Sequence, residues 1–165
     1  MKVLKWVGVV LFVVLCLPLS AQGVSSNSIH EQVTALSEKY KGERGVKSLV
    51  ANDGFKLQSV KMMLRKEFGK EFVDNIKMFA IMFYKEANSE VAKRIVSDVE
   101  QIVAPLRNID INNQLRPGAK GQGYVRLLDD EKRLTDLLIV MEYPSPRLIY
   151  FGGDFQAEDV KYTYK

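Results

Sequence analysis

Three stretches of the chain carry apolar residues at the spacing of one helix face. In the first, Ser28 and Glu31 form the pattern of a capping box, and Gly42 follows the last apolar position. The second runs from about residue 57 to 68, and the third begins at Asn88 and stops before Pro105. The periodicity therefore predicts three amphipathic helices.

The remaining apolar segments have the period of strands. Residues 76–84 are apolar on both alternating faces, which favours a central strand covered on each side, with a buried helix as the alternative. A short strand is predicted at 45–50. Three more are predicted at 123–128, 134–143 and 147–151, joined by turns short enough for antiparallel neighbours. Gly152, Gly153 and Asp154 are expected to end the last strand, before a short helix at 156–162.

The order of these elements predicts one α+β domain over residues 22–165. Three helices are expected to pack on a mostly antiparallel sheet that ends in a three-stranded meander. Residues 106–122 contain Pro117, Gly118 and Gly121 and are interpreted as a connector.

Residues 1–21 have the parts of a secretory signal peptide. Lys2 and Lys5 precede an apolar run at 6–17, and Ala21 supplies a small residue for cleavage. The run is shorter than the roughly 20 residues of a membrane-spanning helix, so no transmembrane segment is expected after removal of the leader. Lipoprotein processing at Cys16, which follows the bulky Leu15, is a less favoured alternative, as is an uncleaved anchor. The chain is expected to be exported to the periplasm or the cell surface.

Removal of the leader changes the composition. The formal charge of +4 loses Lys2 and Lys5, which leaves 22 basic against 20 acidic residues, without the concentrated basic face of a nucleic-acid binder. Cys16 and Trp6, each the sole residue of its type, leave with it, and His30 is the one histidine. Disulfides, thiolate sites and histidine-based catalytic or metal centres are therefore not expected. The sequence predicts neither a cofactor nor a catalytic residue.

Other polar groups are interpreted in the simplest way. The glycine-rich segment 118–123 precedes a strand instead of following one, so it is interpreted as a flexible entry to the meander and not as a phosphate loop. Asp129, Asp130, Glu131 and Asp136 are assigned to a solvated hairpin tip, and Asp154 to a helix cap. A set of basic residues is assigned to solvated helix faces, with a surface for anionic lipid or glycan as the alternative: Lys61, Arg65, Lys66, Lys70, Lys93, Arg94 and Arg107.

Aromatic residues and prolines cluster near the C-terminus. Such residues on a sheet face or edge form sugar or peptide platforms, although strands also use aromatics as core. If the chain has an interaction surface, we expect it at Tyr143, Pro144, Pro146 and Tyr150. Phe151, Phe155, Tyr162 and Tyr164 belong to the same aromatic cluster.

Four methionines are also interpreted in the simplest way. Core filling is the simpler interpretation of Met62, Met63, Met78 and Met82.

Several local motifs together resemble known exported proteins. They are the exit Leu-Ser-Ala-Gln at 19–22, Glu-Lys-Tyr at 38–40, Gly-Val at 45–46, and the strands 137–142 and 148–155. In these features the chain resembles the small secreted domain-of-unknown-function families of Bacteroidetes. The resemblance implies an exported α+β domain at the periplasm or cell surface, with no catalytic residues to carry over.

The sequence thus favours a non-enzymatic binding module of the cell envelope. Its expected partner is an envelope protein or a glycan, and no nucleic acid. Two alternatives remain: a hydrolase of envelope polymers that uses paired carboxylates, and a structural subunit that docks through an edge strand.

Overall fold

The computed structural model describes residues 28–111, 115–128 and 131–160. Five helices lie within these ranges: α1 (Ile29–Tyr40), α2 (Gly54–Phe68), α3 (Lys70–Asp74), α4 (Ser89–Val103) and α5 (Ala157–Val160). The six strands are β1 (Lys47–Ala51), β2 (Ile76–Phe83), β3 (Arg107–Ile109), β4 (Lys120–Leu127), β5 (Arg133–Tyr143) and β6 (Arg147–Gln156).

All six strands form one antiparallel sheet in the order β1-β2-β6-β5-β4-β3. The prediction of an α+β fold with a terminal meander is confirmed, since β4, β5 and β6 are consecutive neighbours. The prediction of a central strand at 76–84 is also confirmed, because β2 lies between β1 and β6. Successive side chains of each strand point to opposite faces, and both faces are apolar.

Helices cover the two faces of the sheet unequally. The first face packs against α1 and α4, and its core contains Met78, Ala80, Leu138 and Tyr150. The second face packs against α2, α3 and α5, and its core contains Phe79, Leu137, Phe151 and Phe155, with Phe72 from α3 among them. The long helices α1 and α4 thus cover one layer, while one long helix and two short ones cover the other.

Local signals position the two helices of the first face. The Ser28 hydroxyl accepts from the Glu31 amide at 3.3 Å, and the Glu31 carboxylate accepts from the Ser28 amide at 2.9 Å. This confirms the predicted capping box. The Asn88 side chain caps α4 by accepting from the Val91 amide at 2.9 Å. Each cap satisfies backbone groups that the first helical turn leaves unpaired.

Two predicted boundaries are wrong. The connector 106–122 contains β3 and the first residues of β4, because a three-residue edge strand is too short to show a periodic pattern. The last strand does not end at Gly152. It continues through Gly153 and Asp154 to Gln156. The pairing of β6 with β2 and the pairing of β6 with β5 each contain a register shift next to this segment. α3 was not predicted, and α5 accounts for part of the helix expected at 156–162; residues 161 and 162 lie outside the described ranges.

Candidate interaction surface

The structure separates the four residues expected to form an interaction surface. Tyr143 and Pro144 are exposed and Pro146 is half-buried, at the turn between β5 and β6. Tyr150 is only 1% exposed and lies in the core of the first face, so its assignment to the surface is wrong. The reason is strand alternation: Tyr150 shares the face of Leu148, whereas Tyr143 continues the opposite face along β5.

The other aromatics of the C-terminal cluster also differ from one another. Phe151 and Phe155 are buried in the core of the second face. The Phe155 ring stacks on that of Phe72 with centroids 4.7 Å apart. Tyr162 and Tyr164 lie outside the described residues.

A buried carboxylate explains the position of Tyr150. Asp136 is 7% exposed and accepts a hydrogen bond of 2.7 Å from the Tyr150 hydroxyl and one of 2.9 Å from the Thr135 hydroxyl. Arg126, its register partner on β4, places Nε 3.7 Å from the same carboxylate. The assignment of Asp136 to a solvated hairpin tip is therefore wrong. Asp129 and Asp130 lie outside the described residues.

Glycine at position 152 leaves room for this cluster. Gly152 is the register partner of Asp136, and a Cβ atom there would lie 2.5 Å from the Tyr150 hydroxyl oxygen. Burial and the adjacent Asp136 charge raise the pKa of Tyr150. The phenol therefore stays protonated as a donor, and the carboxylate has a structural partner inside the fold.

Glu131 and Asp154 also have partners. Glu131 lies 3.2 Å from Arg107, and together they line a shallow depression of about 350 Å³ beside β3 and β4. Arg133 donates hydrogen bonds to both carboxylate oxygens of Asp154, and the bond from its Nε is 3.0 Å long. This contact lowers the pKa of the Asp154 carboxyl. The assignment of Asp154 as a helix cap is therefore wrong. Glu131 and Asp154 thus each form an ion pair with an arginine.

The predicted basic helix faces are partly neutralised in the same way. Arg65 lies 2.7 Å from Asp74, and Arg94 lies 3.2 Å from Glu43. Lys61 donates to the Asp74 backbone carbonyl at 2.9 Å. Both arginines are exposed, as the interpretation of solvated helix faces predicts, and their ion pairs were not predicted.

The glycine-rich segment predicted as a flexible entry is largely strand. Gly121 and Gly123 lie inside β4. A Cβ atom on Gly123 would approach Ile109 and Ile111 to 2.7 and 2.8 Å, so the missing side chain gives space to those isoleucines.

An incompletely covered apolar surface lies on the second face of the sheet. Leu49, Ile81 and Ile149 are register partners across β1, β2 and β6, so they form one row. All three are half-buried, although β2 and β6 are central strands. Phe83, two residues after Ile81 on the same face of β2, is 37% exposed. Tyr143, at the end of β5 on this face, is 61% exposed. We call this surface the open sheet end: Leu49, Ile81, Phe83, Tyr143 and Ile149.

Basic side chains border the open sheet end. Lys47 and Arg147 are the register partners of Phe83 on its two sides, and Lys120 is the partner of Tyr143. The Arg147 guanidinium lies 6.0 Å from the centroid of the Phe83 ring, at the limit of a cation–π contact. The arrangement is an apolar floor with a positive rim.

The helix α2 carries a second group of exposed apolar side chains. Phe55 is 85% exposed, Met62 60% and Met63 66%, whereas Leu57 and Val60, which face the sheet, are buried. We call these three residues the outer stripe of α2. The prediction that Met62 and Met63 fill the core is wrong, although it is confirmed for Met78 and Met82.

Within the described ranges, neither a metal centre nor a membrane-spanning helix is present. No three His, Cys, Asp or Glu side chains converge on one point there. No helix among these residues is long and apolar enough to cross a bilayer.

The fold and surface thus define an α+β domain with an apolar, basic-rimmed sheet face. No family model, curated protein or solved structure matches this chain. The resemblance to small secreted Bacteroidetes families therefore stays a prediction.

Proposed function

We propose that the protein is an exported, non-enzymatic binding module of the cell envelope. The open sheet end binds an acidic and apolar segment of an envelope protein. The observation that carries this proposal is the half-buried row of Leu49, Ile81 and Ile149 beside the exposed Phe83. Central strands of a sheet with helices on both faces are normally covered by a second layer, which a partner would complete here.

The rim defines the chemistry of that segment. Lys47, Arg147 and Lys120 lie beside Phe83 and Tyr143 at one end of the apolar floor, so a partner needs carboxylates at that margin and apolar side chains at its centre. Burial of the floor supplies the affinity. The charged rim supplies specificity and a faster association that weakens with salt.

The two other functions have less support. A hydrolase requires two carboxylates free to face a substrate, whereas Glu131, Asp136 and Asp154 each have a partner. A subunit that docks by strand pairing would use an edge. The edge strand β3 has three residues, and the edge strand β1 begins with exposed Lys47 and Ser48, features that discourage pairing. Export itself rests on the leader at residues 1–21.

The test places a photo-crosslinking amino acid at Phe83 in cells that produce the full chain. The matched control places it at Val96, which is exposed on α4. We expect an adduct from position 83 alone, and the crosslinked segment of the partner should contain both acidic and apolar residues. Equal adducts at both positions, a glycan adduct, or a segment without acidic residues would contradict the proposal.

A second measurement tests the rim with the partner so identified. Arg147→Glu should weaken binding about tenfold, because placing like charges together at a rim costs on the order of 1.4 kcal/mol. Lys93→Glu makes the same charge change on α4 and should leave the affinity unchanged. Equal effects of the two substitutions would show that net charge alone controls the interaction.

A further inference from the structure

We infer that the outer stripe of α2 is a second binding surface, and that it binds the surface of an anionic lipid membrane. This assignment goes beyond the proposed function, because it gives different residues a different ligand. It depends on the two apolar faces of α2, the charges beside the outer face, and the high exposure of the stripe.

The first step is that α2 has more apolar surface than its packing uses. Leu57 and Val60 are buried against the second face of the sheet, and Leu64 and Phe68 pack partly against the same core. Phe55 and Met62 lie seven residues apart, which places them two turns apart on the opposite side of the helix. A surface helix of a globular protein normally presents polar residues there.

The second step is the charge beside the stripe. Lys56 follows Phe55, and Lys66 lies one turn beyond Met62; both are exposed, as is Lys70 in α3. Arg65 and Lys61 are instead held by Asp74. Residues 53–74 contain five basic residues and four acidic ones, Asp53, Glu67, Glu71 and Asp74, and Asp74 forms an ion pair with Arg65. The positive charge beside the stripe is therefore that of Lys56 and Lys66.

The third step distinguishes a lipid surface from a protein groove. Phe55 and both methionines protrude from the outer side of a surface helix, at 60% exposure or more. A lipid interface accepts such side chains by insertion between head groups, while adjacent lysines contact the phosphates. An acidic protein would need a groove shaped to the stripe, and this is the competing outcome of the test.

The experiment measures co-sedimentation of the purified protein with phosphatidylcholine vesicles, with and without phosphatidylglycerol. We expect binding to the anionic vesicles and a decrease when salt is raised. Met62→Ser and Lys66→Glu should each lower the partition coefficient about tenfold. The controls Val96→Ser and Lys93→Glu make the same kinds of change on α4 and should have no effect. Unchanged melting temperatures would show that all four variants fold.

Several results would overturn the inference. Equal binding to neutral and anionic vesicles would remove the role of the lysines, and full binding by Met62→Ser would remove that of the stripe. Failure to bind either vesicle, together with binding of a soluble acidic protein that Met62→Ser abolishes, would assign the stripe to a protein partner.

Discussion

Loss of the Tyr150 hydroxyl should destabilise the protein by about 2 kcal/mol. Tyr150→Phe removes the 2.7 Å hydrogen bond to Asp136 and keeps the ring in place. A hydrogen bond to a charged group contributes about 1.5–3 kcal/mol, and a buried acceptor without its donor bears the cost of desolvation. Asp136 keeps Thr135 at 2.9 Å and Arg126 at 3.7 Å, which limits the loss to the middle of that range.

Urea unfolding at neutral pH measures this change. With a slope of about 2 kcal/mol/M, the midpoint should fall by about 1 M at unchanged slope. The control is Tyr84→Phe, in another tyrosine of the same core that is 5% exposed and whose hydroxyl has no hydrogen-bond partner among the described residues. We expect a change below about 0.5 kcal/mol there. Equal effects of the two substitutions would refute the assignment of Asp136 and Tyr150 as a stabilising buried pair.

Three further predictions follow from local geometry. Because burial raises the pKa of Tyr150, its contribution is present below the unfolded pKa of about 10 and is lost as pH rises further, so Tyr150→Phe should flatten the decline of stability above pH 10. Gly153→Ala should cost about 1–3 kcal/mol in chemical unfolding, since a Cβ there would meet Asn75 and Phe155, whereas Gly42→Ala meets nothing within 4 Å and should be neutral. Asn88→Ala removes the cap of α4 and should lower the stability by about 1 kcal/mol in the same assay; an unchanged midpoint would contradict the capping role.

The correct sequence predictions depend on neighbours along the chain. The caps at Ser28 and Asn88 join residues three positions apart, and the apolar run of β2 indicates a central strand by itself. The three long helices and the meander could therefore be predicted from local spacing. β3 could not, because three residues carry no periodicity.

The candidate site depends on distant pairing, which the sequence does not display. Ile81 and Ile149 form one row only because β6 inserts between β2 and β5. Asp136 meets Tyr150 across a register that contains a shift near Leu134. Tyr143 could be predicted as a surface residue because it precedes a turn. Tyr150 could not be separated from it by sequence, because strand alternation places Tyr150 on the other face of the sheet. The exposed stripe of α2 was missed because periodicity alone does not show which apolar face packs.

The two surfaces have different roles in this account. The open sheet end recognises a protein segment through an apolar floor and a positive rim. The outer stripe of α2 attaches the domain to lipid. Both belong to the side of the sheet that carries its second face, where α2 is the one long helix among the described residues.

The most direct test of the central claim compares side-chain footprinting of the purified protein with that in intact cells. If a partner covers the open sheet end, Phe83 and Tyr143 should react readily in the purified protein and be protected in cells. Val96, on α4, should react equally in both. Equal labelling of Phe83 and Tyr143 in the two states would show that nothing binds the open sheet end and would contradict the account.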